Sequence, residues 1–225
     1  MILLPIKNLG NAKQRLATLM EQTARTELAH AMLMDVLDAV TAYGKADVSL
    51  VTSDPFATDL AKHYGFDIIR DEKNLSETDA IAMATGVCQS RGIPSTLVIP
   101  GDIPLIEPPE INAIYAHAPA RGSVLVPSSD KRGSNAVFRS PAALFPLRFG
   151  NDSFVPHLDA AIATNTTYVV LSLAGIGLDI DTPEDLALLA AAPGSRRSQI
   201  LARKQSVSAP PTAELLTHAR MPAAK

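Results

Sequence analysis

Tryptophan is absent from this sequence of 225 residues, aromatic residues make up only 4% of it, and Cys88 is its single cysteine. The shortage of aromatic rings leaves few platforms on which the bases of a single strand could stack. A lone cysteine can form neither an intrachain disulfide nor a cysteine zinc cluster. These absences argue against a nucleic-acid partner and indicate a reducing compartment, with Cys88 as a thiol of the core.

Long hydrophobic runs are also missing. The amino-terminal apolar run, residues 1–6, is followed by the charge of Lys7. It is too short for the hydrophobic region of a signal peptide or for a membrane span. Apolar residues still make up 47% of the chain, which is enough for a sizeable core. We therefore predict a soluble, cytoplasmic protein with no membrane partner.

The net charge of −3 conceals two regions of opposite sign. From Pro193 onward the chain has six basic residues and one acidic residue, a balance of +5, which leaves about −8 on residues 1–192. An acidic body is unlike a nucleic-acid-binding surface. The segment 193–225 is rich in Ala, Pro and Ser and has no apolar period. We predict one domain over 1–192 and a largely disordered basic tail, or a short added helix at 213–219.

Short apolar runs alternate with amphipathic stretches along the body of the chain. This alternation is typical of βαβ units on a mostly parallel sheet, so we predict a single α/β domain. The predicted strands are 1–6, 47–52, 66–69, 96–99, 123–126, 135–138 and 168–171. The predicted helices are 15–43, 56–64, 76–91, 152–164 and 183–191.

Two carboxylate motifs are candidates for a metal site. Pro100-Gly101-Asp102 forms a stiff turn where the predicted central strand ends, at the edge where open α/β sheets bind ligands. Asp179 and Asp181 lie two residues apart in an extended segment, so their side chains point the same way. Asp102 with one of these two would suit Mg²⁺, although an Asx turn and a helix cap are the structural alternatives.

Cations and small polar residues supply candidate anion sites. Lys7, Lys13 and Arg15 lie at the first strand–helix junction, where backbone amides and cationic side chains can bind phosphates. No Walker loop is present, because no glycine pair precedes a Lys-Ser/Thr. Two further loops place hydroxyls and glycines where their amides could approach an oxyanion, although each is also compatible with a simple turn. These loops contain Ser134, Asn135, Gly150 and Ser153, with His157 one helical turn later in a role that we interpret as structural.

Five segments, in this order, resemble the phospholactate guanylyltransferase family of coenzyme F(420) biosynthesis. The family motif Pro-Val-Lys-Pro-Leu…Ala-Lys-Ser-Arg-Leu is similar to residues 5–16, and Pro-Ala-Asp-Leu-Pro-Leu is similar to 100–105. Gly-Thr-Asn-Ala corresponds to 133–136, Phe-Gly-x-x-Ser-x-x-x-His to 149–157, and Asp-Ile-Asp-Thr-Pro to 179–183. The resemblance covers residues 3–190, and the chain departs from the motifs at Asn8, Gly101 and Ser134.

The resemblance implies a GT-A-like nucleotidyltransferase fold and the transfer of GMP from GTP to a small phosphorylated acid, with release of pyrophosphate. The acid would be 2-phospho-L-lactate, phosphoenolpyruvate or 3-phospho-D-glycerate, and the cofactor Mg²⁺. The implied roles are catalysis by Asp102, Lys7, Lys13 and Arg15; nucleotide binding by Lys7, Lys13, Arg15 and Pro100; acceptor binding by Ser134, Asn135, Gly150 and Ser153; and metal binding by Asp102 with Asp181 or Asp179.

Three alternatives stay open on the sequence. A nucleotidyltransferase could act on a sugar phosphate or on molybdopterin, although the Gly-Gly-x-Ser-x-Arg-Met loop of the molybdopterin enzymes is missing. A regulatory protein could bind the nucleotide without turning it over. A metal-dependent glycosyltransferase would need an Asp-x-Asp pair after the central strand, where the chain has Gly101-Asp102-Ile103. The sequence contains no signal for an oligomeric state.

Overall fold

The core of the molecule is one seven-stranded sheet. The computed structural model describes residues 1–150 and 152–208, the last three as backbone only. The strands are β1 Ile2–Ile6, β2 Val48–Thr52, β3 Asp67–Arg70, β4 Thr96–Val98, β5 Gly122–Pro127, β6 Ser134–Ser140 and β7 Thr167–Val170. Their spatial order is β3-β2-β1-β4-β6-β5-β7.

Among the strands of the described residues, β6 is the only antiparallel one. It pairs antiparallel with β4 on one side and with β5 on the other, while the remaining neighbours pair in parallel. The prediction of a mostly parallel α/β sheet is therefore confirmed. Strand β1 lies between β2 and β4 and is buried along its whole length. Its alternate residues face two different cores, as expected for a central strand covered on both faces.

Helices cover both faces of the sheet. They are α1 Gln22–Tyr43, α2 Pro55–Tyr64, α3 Glu77–Ser90, α4 Pro108–Ala116, α5 Phe154–Ala163, α6 Pro183–Ala191 and α7 Arg197–Ser208. Helices α1, α2 and α4 pack on one face, and α3 and α5 pack on the other. In the described part of the chain, no helix is both long and apolar enough to cross a bilayer.

Helix α7 lies within residues 193–225, for which the sequence predicted a largely disordered tail beyond a domain of residues 1–192. Over residues 197–208 the structure differs from that prediction, because α7 packs with α6 against the outer side of α1. The buried Asp35 of α1 holds the start of α7, because its carboxylate accepts hydrogen bonds from the backbone of Arg197 (3.2 Å) and from the backbone and hydroxyl of Ser198 (2.9 and 2.6 Å). The alternative helix at 213–219 lies outside the described residues.

Two other helices differ from the sequence prediction. Helix α1 begins at Gln22 and not at residue 15, because two 3₁₀ turns, Leu9–Asn11 and Gln14–Leu16, precede it. Lys13, between these turns, has φ 56°, a left-handed conformation that interrupts a helix. Helix α4 was not predicted. It is short, and it begins with two prolines that read as a loop in the sequence, although Glu107 and Glu110 form a capping box there.

Candidate active site

The predicted site residues meet at the carboxyl ends of β1 and β4. These two strands are parallel neighbours at the point where the strand order reverses, because β1 leads to β2 on one side of the pair and β4 leads to β5 on the other. Such a switch point forms a ligand crevice in open α/β sheets. Lys7 directly follows β1, and Asp102 lies in the turn after β4. The backbone oxygen of Asp102 accepts a hydrogen bond from Ile180 N (3.1 Å), which brings the Asp179–Asp181 segment to the same place.

A buried lysine joins two of the predicted carboxylates. Lys13 Nζ lies 2.6 Å from Asp102 Oδ2 and 2.9 Å from Asp181 Oδ1. The Lys13 side chain is only 7% exposed, while those of Asp102 and Asp181 are 33% and 39% exposed. Burial alone would lower the pKa of Lys13, but the two carboxylates outweigh it and hold that pKa well above its ordinary value. Lys13 is therefore a fixed positive charge that holds the two acids together.

Asp179 and Asp181 have different surroundings, although they are two residues apart. Burial would raise the pKa of Asp181, but the charge and hydrogen bond of Lys13 lower it overall, with help from Arg15, whose Nη1 lies 3.5 Å from Asp181 Oδ2. Burial dominates at Asp179 and raises its pKa. Asn135 Nδ2 donates to Asp179 Oδ1 (3.0 Å) and to the carbonyl of Ile176 (3.0 Å). The side-chain amide of Asn135 thus donates to two protein oxygens and positions Asp179.

The amino-terminal turn has its own internal support. Asn8, which replaces the second proline of the family motif, accepts a hydrogen bond from Gly10 N through its side chain (2.9 Å) and caps the first 3₁₀ turn. Leu9 N donates to Asp54 Oδ2 (3.0 Å). Lys7 Nζ pairs with the buried carboxylate of Asp71 just after β3, at 2.5 Å. Lys7 therefore lies in the crevice, but it contacts a different acid from Lys13.

The departure at Gly101, where the family motif has Ala, leaves no gap in the packing. Ile6, which stands where the motif has the similar but smaller Val, fills the space. A Cβ atom at Gly101 would lie 2.5 Å from Ile6 Cδ1 and 3.3 Å from Leu33 Cδ1. The additional methyl of Ile6 thus occupies the space of the missing Cβ, and the turn that carries Asp102 stays close-packed.

Two cavities open on this crevice. The first, of about 470 Å³, is lined by the amino-terminal turn, by Pro5–Lys7 and by Pro100–Asp102. The second, of about 380 Å³, is lined by the loops of residues 128–135 and by Phe149, Gly150, Asp152 and Ser153. Both cavities are lined by Arg15, Glu77, Pro100, Asp102 and Asp181. Two ligands bound in them would meet at the carboxylates that Lys13 joins.

Ser134 and Ser153, whose hydroxyls were predicted to bind the acid, line the second cavity and are linked by a hydrogen bond. Ser153 Oγ accepts a hydrogen bond from Ser134 N (3.0 Å), and Ser134 Oγ contacts His157 Nδ1 (2.9 Å). Gly150 has φ 126°, a conformation that favours glycine, and it leaves the cavity wall without a side chain. The structure therefore places Ser134, Asn135, Gly150 and Ser153 together around one cavity.

Glu77, the first residue of α3, was missed by the sequence reasoning. It lines both cavities, and its side chain forms no hydrogen bond or ion pair with the described residues 1–150 and 152–208. Burial, and then the charge of Asp102, raise the pKa of Glu77 to about 7. The only sequence signal was its position after the capping Ser76, which has an ordinary structural explanation.

The raised pKa of Glu77 predicts a pH-dependent stability. Between its ordinary value of 4.5 and about 7, the folded protein binds more protons at Glu77 than the unfolded chain does, so stability falls as pH rises through this window. Glu77→Gln removes the ionisation. We expect the melting temperature of Glu77→Gln, relative to wild type, to be higher at pH 8 than at pH 5 in metal-free buffer. An unchanged difference across this range would contradict the assignment.

The chain is similar in sequence to known guanylyltransferases over most of its length. The family model described as "Guanylyl transferase CofC like" matches residues 1–212. The phosphoenolpyruvate guanylyltransferase of Rubrobacter xylanophilus is 32% identical over 192 residues, 84% of this chain and 93% of that protein. The 3-phospho-D-glycerate guanylyltransferase of Colwellia psychrerythraea is 30% identical over 191 residues (84% and 90%). The 2-phospho-L-lactate guanylyltransferase of Methanothermobacter thermautotrophicus is 28% identical over 184 residues (82% and 81%).

A solved structure supports the fold. A protein from Desulfovibrio desulfuricans G20, described as a nucleotide-diphospho-sugar transferase, superposes with a TM-score of 0.74 over 92% of this chain and 94% of that one. The two sequences are 16% identical, so this likeness concerns the architecture alone. The predicted nucleotidyltransferase fold is confirmed.

Proposed function

The chain belongs to the CofC-like guanylyl transferase family, and we propose that it transfers GMP from GTP to the phosphate of a small phosphorylated acid, with release of pyrophosphate. The step belongs to coenzyme F(420) biosynthesis. The observation that carries this proposal is the pair of cavities that share Asp102, Asp181 and Arg15. A transferase of this kind needs a donor and an acceptor whose reacting groups meet at one place.

The nucleotide fits the first cavity. Lys7, Lys13 and Arg15 supply three cations there, whereas the backbone amides of residues 9–12 already donate within the protein. Cationic side chains bind phosphate groups. We assign the triphosphate to this end of the crevice, with its α-phosphorus at the junction near Asp102. Lys13 and Arg15 would then neutralise the charge that develops on the departing pyrophosphate.

The acid fits the second cavity, although the charge of that cavity is unfavourable for it. The cavity is lined by two guanidinium groups, Arg15 and Arg132, and by six carboxylates, Glu77, Asp102, Asp130, Asp152, Asp179 and Asp181. Two unit charges of the same sign about 4 Å apart repel by roughly 4 kcal/mol at an effective dielectric of 20. An acid that carries both a carboxylate and a phosphate therefore needs a cation to bind beside these groups.

We propose Mg²⁺ as that cation, held by Asp102 and Asp181. Across the described residues, no three His, Cys, Asp or Glu side chains form a metal cluster. This fits Mg²⁺, which takes one or two protein carboxylates and fills the rest of its shell with water and phosphate oxygens. Asp181 suits the role better than Asp179, since Asp181 is ionised beside Lys13 while Asp179 is bonded to Asn135. The bound ion would offset phosphate charge on both substrates.

In this reaction the protein positions the two substrates and neutralises their negative charge. A phosphate oxygen of the acid attacks the α-phosphorus of GTP in line, and the bond from that phosphorus to the β-phosphate oxygen breaks to release pyrophosphate. No covalent protein intermediate is required. Arg15, which lines both cavities, can contact either substrate, and Lys13 keeps Asp102 and Asp181 at a fixed separation. We assign the activity to the cytoplasm, in agreement with a single buried cysteine.

Product analysis tests this function directly. The purified protein is incubated with Mg²⁺-GTP and separately with phosphoenolpyruvate, 2-phospho-L-lactate or 3-phospho-D-glycerate, and the products are read by mass spectrometry. We expect a guanosine-diphospho acid and an equimolar amount of pyrophosphate with at least one acid. Binding of GTP without turnover on any acid would support a regulatory protein instead. Turnover on a glucose 1-phosphate control alone would support a sugar-phosphate transferase.

A further inference from the structure

A directed chain of hydrogen bonds lies behind the second cavity. The backbone N–H of Arg148 donates to Nε2 of His157 (2.8 Å), and Nδ1 of His157 lies 2.9 Å from Ser134 Oγ. His157 is 1% exposed and Ser134 is 6% exposed, so neither group has ready access to bulk water. The ring of His157 also packs edge-on against Phe149 in the cavity wall.

The donors and acceptors fix where the protons are. A backbone N–H can only donate, so Nε2 of His157 must be the unprotonated nitrogen. A neutral imidazole then carries its proton on Nδ1 and donates it to Ser134 Oγ. Burial, and then the charge of Arg139, lower the pKa of His157 to about 4, which agrees with a neutral ring at physiological pH.

The two serine hydroxyls are therefore left as donors. Ser134 Oγ accepts from His157, and Ser153 Oγ accepts from the backbone N–H of Ser134 (3.0 Å). Within the described part of the chain, neither of these two hydroxyls donates a hydrogen bond to a protein group. Both residues line the second cavity, so each proton is available to a bound ligand.

We propose that His157 is a positioning residue for the acid substrate, because it fixes the Ser134 hydroxyl as a hydrogen-bond donor into the second cavity. A freely rotating hydroxyl could offer either its proton or a lone pair. A hydroxyl whose lone pair is used by His157 offers its proton and so selects a ligand group that only accepts, such as a carboxylate or phosphate oxygen. This matters in a cavity lined by six carboxylates, where few other donors face an anion. The inference rests on the proposed transferase function.

The tautomer of His157 can be measured without any turnover. Long-range ¹H–¹⁵N correlation spectra of the full chain, with His157 assigned by comparison with a His157→Gln spectrum, report which ring nitrogen carries the proton. We expect the Nδ1–H tautomer, with one neutral ring from pH 5.5 to pH 8. An Nε2–H tautomer, or a charged ring at pH 7, would overturn the inference.

Two substitutions at His157 separate its two hydrogen bonds. His157→Asn keeps an N–H near the position of Nδ1, and His157→Gln keeps an acceptor oxygen near the position of Nε2. We expect His157→Gln to raise KM for the acid at least about tenfold while KM for GTP changes less than about threefold, because a hydrogen bond to a charged group is lost. His157→Asn should keep KM for the acid within about threefold of wild type, although both variants lose thermal stability.

A substitution at Ser134 tests whether Ser134 and His157 act together. Ser134→Ala should raise KM for the acid as much as His157→Gln, and the double variant should raise it no further, because the two residues form one unit. Equal effects of Asn and Gln at position 157, or a parallel rise of KM for GTP, would assign His157 a purely structural role. Inactivity of the wild type with all three acids would count against the proposed function, whereas an active wild type with an unaltered His157→Gln variant would count against this inference alone.

Discussion

Lys13→Met is expected to lower the turnover of GTP and acid by at least about a hundredfold, the lower end of the loss expected when one electrostatic stabiliser is removed. The ammonium of Lys13 contacts both Asp102 and Asp181, and it lies where the two cavities meet. Methionine fills similar space without the charge. The two carboxylates would then repel each other, and the departing pyrophosphate would lose one of the two cations that we assign to it.

The same substitution should also destabilise the fold. Breaking a fully buried ion pair costs about 3–5 kcal/mol, and the partial exposure of Asp102 and Asp181 places this case below that range. We expect a lower melting temperature that added Mg²⁺ partly restores. Lys62→Met is the matched control, because Lys62 pairs with Asp59 on the exposed surface of α2, away from both cavities. Turnover of Lys13→Met within tenfold of wild type would contradict the role of Lys13.

Asp102→Asn is expected to lower turnover by at least about a hundredfold with little change in melting temperature. The amide keeps the shape of the side chain, and the bond from Ile180 N goes to the backbone oxygen of residue 102, which the substitution leaves in place. Lys13 would still have Asp181 as a partner at 2.9 Å, so no buried charge is left alone.

Pyrophosphate release at saturating Mg²⁺-GTP and acid measures the effect of Asp102→Asn. Asp59→Asn is the control, since it removes an acid whose side chain is 78% exposed and outside both cavities. Near-normal turnover of Asp102→Asn would remove Asp102 from the site. A large fall in melting temperature would show that its main role is structural.

The sheet and the meeting point of the motifs could be predicted from local patterns. Short apolar runs predicted the strands, and the carboxyl ends of parallel strands lie at the same edge of the sheet. This placed Asp102 opposite the turn that carries Lys7 and Lys13, and the structure indeed brings Lys13 to Asp102. The sequence left open which of Asp179 and Asp181 binds the metal. Their spacing indicates that the two side chains point the same way, but it does not identify the groups that each side chain contacts.

The features that sequence reasoning missed depend on contacts between distant residues. Helix α7 has little apolar periodicity, and it is ordered by the carboxylate of Asp35, 162 residues before Arg197. Its buried residues complete a second face of α1, which no pattern within residues 193–225 reveals. Glu77 reads as a helix-start residue until the fold places it between two cavities. The direction of the Ser134 hydroxyl depends on a contact with His157 that the motif spacing does not reveal, and on a backbone N–H that has no sequence signal.

Under the proposed function, Asp102 and Asp181 serve one reacting centre between two substrate cavities. A double-mutant cycle of Asp102→Asn and Asp181→Asn, measured as acid-dependent pyrophosphate release from Mg²⁺-GTP, tests it most directly. Residues that act as one unit are strongly non-additive. We expect each single variant to lose at least about a hundredfold, and the double variant to fall less than about tenfold below the weaker single variant. Losses that multiply, or either single variant with near-normal release, would contradict a shared centre.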